Sequence, residues 1–448
     1  MNFAQFKELV IAKAQAMGID DYELYYQSAE STSVSAFQHE INQFTSSVEG
    51  GVCFRCIVGG KMGYASTEAL NESEAAAIVE RAAENASVLE AEEPVFLGEG
   101  GKTYATLEDK SYPLPSTEAL IAKVLSTQEA IYQADPAVID GSSTQGISQR
   151  TSIAIVNSKG LDLSSDVAVS GLVVAAVVSN GTEMANDYQI KLGQLDKLDS
   201  EALTKKAAET ALGKLGGEVA PTGQYPVIFD SEAMSDLLQT FSGIFSSEAA
   251  QKGLSKLAGQ EGEIIASDVV TIVDDPFHPK NPMPMAFDAE GSPTAKKNII
   301  EKGKFNTLLY NLKTAAVAGK ETTGNASKAG YDAPVGIRPF TMYLEGGEMT
   351  PEELLAKAGN GVYINSLGGL HAGANPVTGD FSLQSAGFMI EDGKKTTAVK
   401  SFTVAGNFYG LLKNIVAVAN NSHLPTAMGM TAFGAPDTLV EGLSIAGK

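Results

Sequence analysis

Between Phe245 and Gly253 the chain reads Phe-Ser-Ser-Glu-Ala-Ala-Gln-Lys-Gly. A helix carrying His-Glu and a second His about one turn later would hold zinc on its imidazoles and use the Glu as general base. Here Glu248 stands without them. Ser247 occupies the place of a first His and Lys252 that of a second. The nearest imidazole in sequence is His278. The plainer alternative for Glu248 is a helix-surface carboxylate, paired at i,i+4 with Lys252 for roughly a few tenths of a kcal/mol. An ammonium at a ligand position also repels a divalent cation.

Other groups invite chemistry. His371 lies in Gly368-Gly369-Leu370-His371-Ala372-Gly373-Ala374-Asn375, which runs on to Thr378-Gly379-Asp380-Phe381-Ser382. So many glycines permit close backbone approach by a peptide or a partner strand. His371, Asn375, Thr378, Gly379, Asp380 and Ser382 are therefore groove candidates, against a tight turn held by Asn and Asp side chains. A Ser382–His371–Asp380 triad can be drawn, but nothing resembles a nucleophile elbow. His278 follows Asp274 and Asp275, a metal-like set, yet the flanking Pro276 and Pro279 suit a loop better. His39 and His423 have no partners in a ligand register and read as solvated or satisfied residues. Cys53 and Cys56 have redox-pair spacing, but they sit in a strand-like run rather than at an exposed helix start.

The elements that must position these groups follow from periodicity. Residues 3–17 repeat apolar side chains at helical spacing. Tyr22 to Ala29, Thr32 to Phe37, Gly51 to Val58 and Met62 to Ala65 read as strands. Ser73 to Leu89 and Ser116 to Ala134 read as helices, separated by a connector over 90–115 rich in Glu, Gly and Pro. Ala137 to Val156 and Leu161 to Val178 read as antiparallel strands, and Ser200 to Leu215 as a helix. From Tyr225 the texture becomes short strands and turns, with a helix capped by Asp230 or Ser231 and another near Thr350 to Ala358. Without regular βαβ alternation the expected class is α+β. An N-terminal α+β domain spans 1–92, a middle helix and antiparallel-sheet segment 93–222, and a large, mainly antiparallel β domain with a few helices 223–448.

The 448 residues carry a net charge of −22. Arg occurs only at positions 55, 81, 150 and 338. Such a surface repels phosphate backbones, so no direct nucleic-acid contact is expected. The N-terminus shows no basic segment followed by an apolar run, and no apolar stretch is long enough to span a bilayer. With two cysteines there is no disulfide framework. A cytoplasmic protein without membrane contact is expected.

Several strings in the C-terminal half are distinctive: Asp288-Ala289-Glu290-Gly291-Ser292-Pro293-Thr294, Thr323-Gly324-Asn325-Ala326-Ser327, Asn375 to Ser382, Gly387 to Lys394, and the closing Val440 to Gly447. In this order and spacing, with the Gly51 to Ala65 strand pair ahead of them, the chain resembles the TldD/PmbA family, once called modulators of DNA gyrase. The resemblance covers nearly the whole chain. It implies a two-part system. TldD-like members carry His-Glu-x-x-x-His and a late Cys as zinc ligands and act as metallopeptidases on peptides and unfolded segments. TldE/PmbA-like members lack the motif and partner the catalytic chain. Here the motif falls on Ser247 to Lys252, and no Cys follows Cys56.

The resemblance therefore implies a TldE/PmbA-like, non-catalytic subunit of a peptide-processing complex. Residues 223–448 would correspond to the metallopeptidase domain. No cofactor is expected in this chain; zinc is expected in a TldD-like partner. A homodimer is open to the isolated chain. The competing expectations are an independent hydrolase with relocated site residues, such as His371 or His278, and an interaction protein acting on gyrase indirectly.

Overall fold

Alternating small and apolar residues from Tyr22 onward build the central strand of an N-terminal sheet. The computed structural model describes residues 1–90, 94–107, 113–281, 283–424 and 431–448. Helix α1 (Phe3–Ala16) opens on a capping box between Asn2 and Gln5 and buries Phe6, Val10 and Ala14. Strands β1 (Tyr22–Phe37), β2 (Glu40–Val58) and β3 (Lys61–Thr67) follow, then helix α2 (Glu72–Val88), capped by Asn71. After the connector come α3 (Thr117–Ala134), β4 (Ser143–Asn157), β5 (Asp162–Ser179), β6 (Met184–Gly193) and α4 (Ser200–Leu212).

These six strands form one antiparallel sheet in the order β3-β2-β1-β4-β5-β6. β1 lies between β2 and β4, so segments 1–92 and 93–222 share a single sheet. One face carries Leu24, Val34, Val52 and Phe54 and packs under the four helices. The other carries Tyr25, Cys53, Ile153 and Ile155, packed against Met285, Phe287 and Phe340 from the C-terminal part. Two strands expected over 22–29 and 32–37 are one, because Glu30 and Ser31 continue the pairing with β2 and β4. β2 begins at Glu40 rather than Gly51. Its first half is polar and exposed, so it shows no burial pattern to read.

The C-terminal part begins with β7 (Glu218–Val219), β8 (Gly223–Phe229), α5 (Ser231–Phe241) and α6 (Ser247–Gln251). Next come β9 (Ile272–Asp274), β10 (Lys297–Glu301), β11 (Lys304–Phe305), α7 (Leu312–Ala318), β12 (Ala326–Ser327), β13 (Gly336–Ile337) and β14 (Thr341–Leu344). The chain continues through α8 (Pro351–Ala358), β15 (Gly361–Gly368), α9 (Leu370–Gly373), β16 (Asp380–Glu391) and β17 (Lys394–Asn407). It ends with α10 (Phe408–Asn414), β18 (Ile415–Val418), β19 (Ala432–Gly434) and β20 (Thr438–Ala446).

A seven-stranded sheet runs β18-β20-β8-β15-β16-β17-β7. β17 also pairs with β20, so β20, β8, β15, β16 and β17 close on themselves and remove those edges. Pairing is mainly antiparallel, with β15–β8 and β17–β7 parallel. A five-stranded sheet, β11-β10-β9-β14-β19, lies alongside. The α+β class with a large, mainly antiparallel C-terminal part is thus the observed one. The shared core gathers Phe229, Leu237, Phe241, Phe245, Phe305 and Phe408. Phe241 stacks on Phe408 with ring centroids 4.6 Å apart. Asp230 caps α5 through Ala233 N–H at 2.7 Å.

Candidate functional site

The segment singled out by its missing imidazoles is held from both ends. α5 ends in a 3-10 turn over Ser242–Phe245, and Ser246 caps the short α6. Ser247 N–H donates to Leu309 O at 3.0 Å, tying α6 to the strand-like approach to α7. The Ser247 side chain is fully buried, and its hydroxyl donates to Thr314 Oγ1 at 2.8 Å. Thr314 Oγ1 donates in turn to Asn311 Oδ1, the cap of α7. Lys252 Nζ reaches Glu248 Oε1 at 2.6 Å, an i,i+4 ion pair at the surface. Gln251 Nε2 donates to Thr314 O at 2.8 Å.

Glu248, Gln251 and Lys252 line a cleft of about 610 Å³. Its opposite wall comes from the N-terminal sheet through Arg55, Lys61 and Tyr64, and its floor includes Glu290 and Asn311. Arg55 is buried and bound to Glu23, Nε to Oε1 at 2.8 Å and Nη2 at 2.7 Å. Burial opposes its charge, but Glu23 and Glu290 more than offset this and raise its pKa. Glu23 also accepts Asn157 Nδ2 at 3.1 Å. Glu290 Oε2 accepts Leu312 N–H at 2.8 Å. Burial and then the neighbouring Asp288 push the Glu290 carboxyl up. Asp288 accepts N–H groups of Glu290, Ser292 and Ala326, each at 2.9 Å. This explains the Asp-Ala-Glu-Gly string: one carboxylate folds the turn and the second enters the cleft. Arg55 and Glu290 were not singled out as site residues, since only the fold brings β2 to α6.

The residues at the motif do not fit zinc. A serine hydroxyl already bound to Thr314 offers no imidazole nitrogen, and the Lys252 ammonium is a cation itself. Among the described residues no group of three or more His, Cys, Asp or Glu side chains converges to hold a metal.

The Gly-rich segment is a compact turn. Asn375 Oδ1 accepts N–H of Val377 and Thr378, and Asn375 N–H donates to Asp380 O at 2.8 Å. Asp380 Oδ1 accepts Asn407 Nδ2 at 2.7 Å, and Lys256 Nζ donates to Thr378 O. Gly379 has φ +82°, and a Cβ there would meet the Tyr409 ring at 2.5 Å. Gly373 lies against the Ser382 carbonyl, where a Cβ would come within 2.4 Å. Asn375, Thr378 and Asp380 thus spend hydrogen-bonding capacity inside the turn. Among the described residues no hydrogen bond joins His371, Asp380 and Ser382.

His371 lies just ahead of that turn, in the short helix α9. With Ala374 and Pro376 it lines a second cleft, of about 840 Å³, whose other walls include Glu232, Asp236, Tyr188 and His423. Burial, then Glu232, raises the Asp236 carboxyl to about 6. Burial lowers the pKa of His423.

The remaining candidates make local contacts. Asp274 is fully buried; it accepts N–H of Phe340 and Thr341 on Oδ1, and Asn325 and Lys297 on Oδ2. Asp275 Oδ1 accepts Phe277 N–H, and His278 Nδ1 accepts Lys280 N–H, so their side chains shape the loop. His39 stacks on Tyr132 at 4.4 Å beside Glu129. Cys53 and Cys56 are buried on opposite faces of β2. Burial pushes both thiols up, Cys56 to about 11, away from a reactive thiolate.

Comparison with known proteins agrees with this architecture along the whole chain. Residues 222–447 match the PmbA/TldA metallopeptidase C-terminal domain, 22–86 its domain 1, and 110–215 its central domain. A Haemophilus influenzae protein named as a metalloprotease PmbA homolog is 27% identical over 87% of this chain and 85% of its own. A Thermotoga maritima crystal structure, described as a candidate modulator of a DNA gyrase, superposes with TM-score 0.90 and 31% identity over 99% of this chain and 100% of its own. The fold is also that of TldE from Thermococcus kodakarensis, with TM-score 0.85 and 24% identity over 98% of this chain and 99% of that one. With its first, central and C-terminal domain models matched in that order along the sequence, the chain belongs to the TldD/PmbA metallopeptidase family.

Proposed function

We propose that this chain is the non-catalytic, TldE/PmbA-like subunit of a two-part metallopeptidase. It pairs with a TldD-like chain that holds the zinc, and it contributes walls to the space in which peptides or unfolded segments are processed. The observation that carries this reading is the occupancy of the motif helix. Ser247 is locked to Thr314, and Lys252 pairs with Glu248, the carboxylate at the motif's general-base position. Glu248 without a metal-bound water has nothing to activate. The cleft between the N-terminal sheet and α6 remains open, so the position keeps a binding surface while lacking the means of hydrolysis.

Metal analysis and peptidase assay of the pure chain test this, alone and mixed with a TldD-like chain bearing an intact His-Glu-x-x-x-His. The expected result is no stoichiometric zinc and no turnover alone, with turnover in the mixture exceeding that of the TldD-like chain by itself. Stoichiometric zinc with full activity in the lone chain would overturn the proposal.

A further inference from the structure

Cations drawn into the interior of this chain are matched by carboxylates. Arg55 pairs with Glu23, Lys297 with Asp274 and Lys214 with Asp187. Lys328 and Arg338 break that pattern. Lys328 is only 8% exposed, and Arg338 is half-buried. Among the described residues neither side chain has a hydrogen-bond or ion-pair partner. Lys328 Nζ lies instead over the Tyr25 ring, 5.0 Å from its centroid. Burial works against both charges, and a charge held out of water is costly unless a counter-charge meets it.

Both cations line one cavity of about 30 Å³ between the N-terminal sheet and the C-terminal part. Lys328 follows β12 and Arg338 follows β13, at opposite ends of that short strand pair. Tyr25 of β1 is their common wall, and Arg338 is the charge that acts most strongly on it. Ile153, Phe287 and Phe340 make other parts of the wall apolar. Asp288 also lines the cavity, but its oxygens already accept the N–H groups of Glu290, Ser292 and Ala326.

We infer that this cavity is a binding site for one small, singly charged anion, a halide or a carboxylate the size of formate, held by Lys328 and Arg338. The two unmatched cations decide the sign of the ligand. The volume decides its size, since it admits roughly one or two water-sized particles, too few for sulfate or phosphate. The ammonium and the guanidinium fork supply the donors. Apolar walls leave the attraction poorly screened. Tyr25 and Ile153 belong to the N-terminal sheet, and Lys328 and Arg338 to the C-terminal part, so the bound ion ties the two together and stabilises the folded chain. This inference is independent of how the motif helix is read.

Thermal unfolding of the full-length chain at neutral pH and constant ionic strength tests this, with sodium gluconate replaced stepwise by sodium chloride or by sodium formate. Gluconate is too large for the cavity. The expected result is a saturable rise in Tm of roughly 2–4 °C in at least one series. A rise in chloride alone assigns a halide, a rise in formate alone a carboxylate, and a rise in both a site open to either. Lys328→Met and Arg338→Met should each reduce the rise several-fold. Lys394→Met, which removes an exposed charge, should keep it. A crystal soaked in the effective anion, with bromide standing in for chloride, should show it beside Lys328 and Arg338, whether or not the variants fold. Flat series in both salts, an empty cavity in that crystal, or a full rise in Lys328→Met or Arg338→Met overturns the inference.

Discussion

The Lys252 ammonium sits 2.6 Å from the Glu248 carboxylate, one helical turn away, on the rim of the cleft between the two halves of the chain. A catalytic helix would place a metal ligand at the lysine's position. A local ion pair has taken over the space. Beneath it Ser247 is buried and tied to Thr314, so the two substituted positions differ in what they contribute.

Lys252→Ala should change stability by no more than about 0.5 kcal/mol, as exposed i,i+4 pairs do. Ser247→Ala should cost about 1 kcal/mol, since it removes the donor to Thr314 Oγ1 in a dry setting. Ser247→His should cost about 1–3 kcal/mol by overpacking a fully buried position. Urea titration of the three variants ranks them. A Ser247→His protein as stable as the parent would contradict the packing described for α6.

Arg55 is held between the carboxylates of Glu23 and Glu290, which raise its pKa against the effect of burial. Arg55→Met leaves Glu23 buried without its partner and should cost about 3–5 kcal/mol. Pairing it with Glu23→Leu should recover much of that loss, because both charges are then gone. A double-mutant cycle by denaturant unfolding measures the coupling, and additive losses would mean the pair is not interacting.

Burial raises the Asp230 carboxyl to about 7, assisted by Glu232 and Asp437. The folded state therefore holds a proton that the unfolded chain releases near pH 4. The unfolded state binds fewer protons in that window, so this group lowers stability as pH rises from about 4 to about 7. Asp230→Asn keeps an oxygen for Ala233 N–H and removes the titration. Its stability relative to the parent should rise across that interval, by about 1.4 kcal/mol per unit of raised pKa at most. Thermal unfolding of both proteins at pH 5 and pH 8 gives the difference; a pH-independent gap would refute it.

Phe241 is fully buried, stacks on Phe408 and lies 6.1 Å from Phe381. Phe241→Ala should cost about 3–5 kcal/mol by opening a cavity where α5 crosses the closed strands. Phe241→Leu should cost less. Equal losses for the two would show that the void collapses.

Local signals carried much of this fold. The α1 periodicity, the Asp230 cap of α5 and the Glu248–Lys252 spacing all follow from neighbours in sequence. What was hidden is long-range. Arg55 meets Glu23 across a strand pair, and Glu290 reaches the same cleft from a loop far along the chain. Nothing near either residue announces the other. Asp380 and Asn375 were attractive as binding groups because turn-forming and ligand-binding residues are the same types. Only the hydrogen-bond partners show how far the turn uses them. The first half of β2 escaped notice because a strand bare on one edge needs no alternation of apolar residues.

The position of β1 also governs the order of events as the protein is made. Its pairing runs from Glu23 with Asn157 to Phe37 with Ser143, across the whole intervening α2, connector and α3. A nascent chain that has emerged as far as α2 therefore holds a hairpin whose inner edge is still vacant. That edge has no strand to meet until β4 leaves the ribosome, so the sheet begun by the first ninety or so residues is completed only once β4 is made.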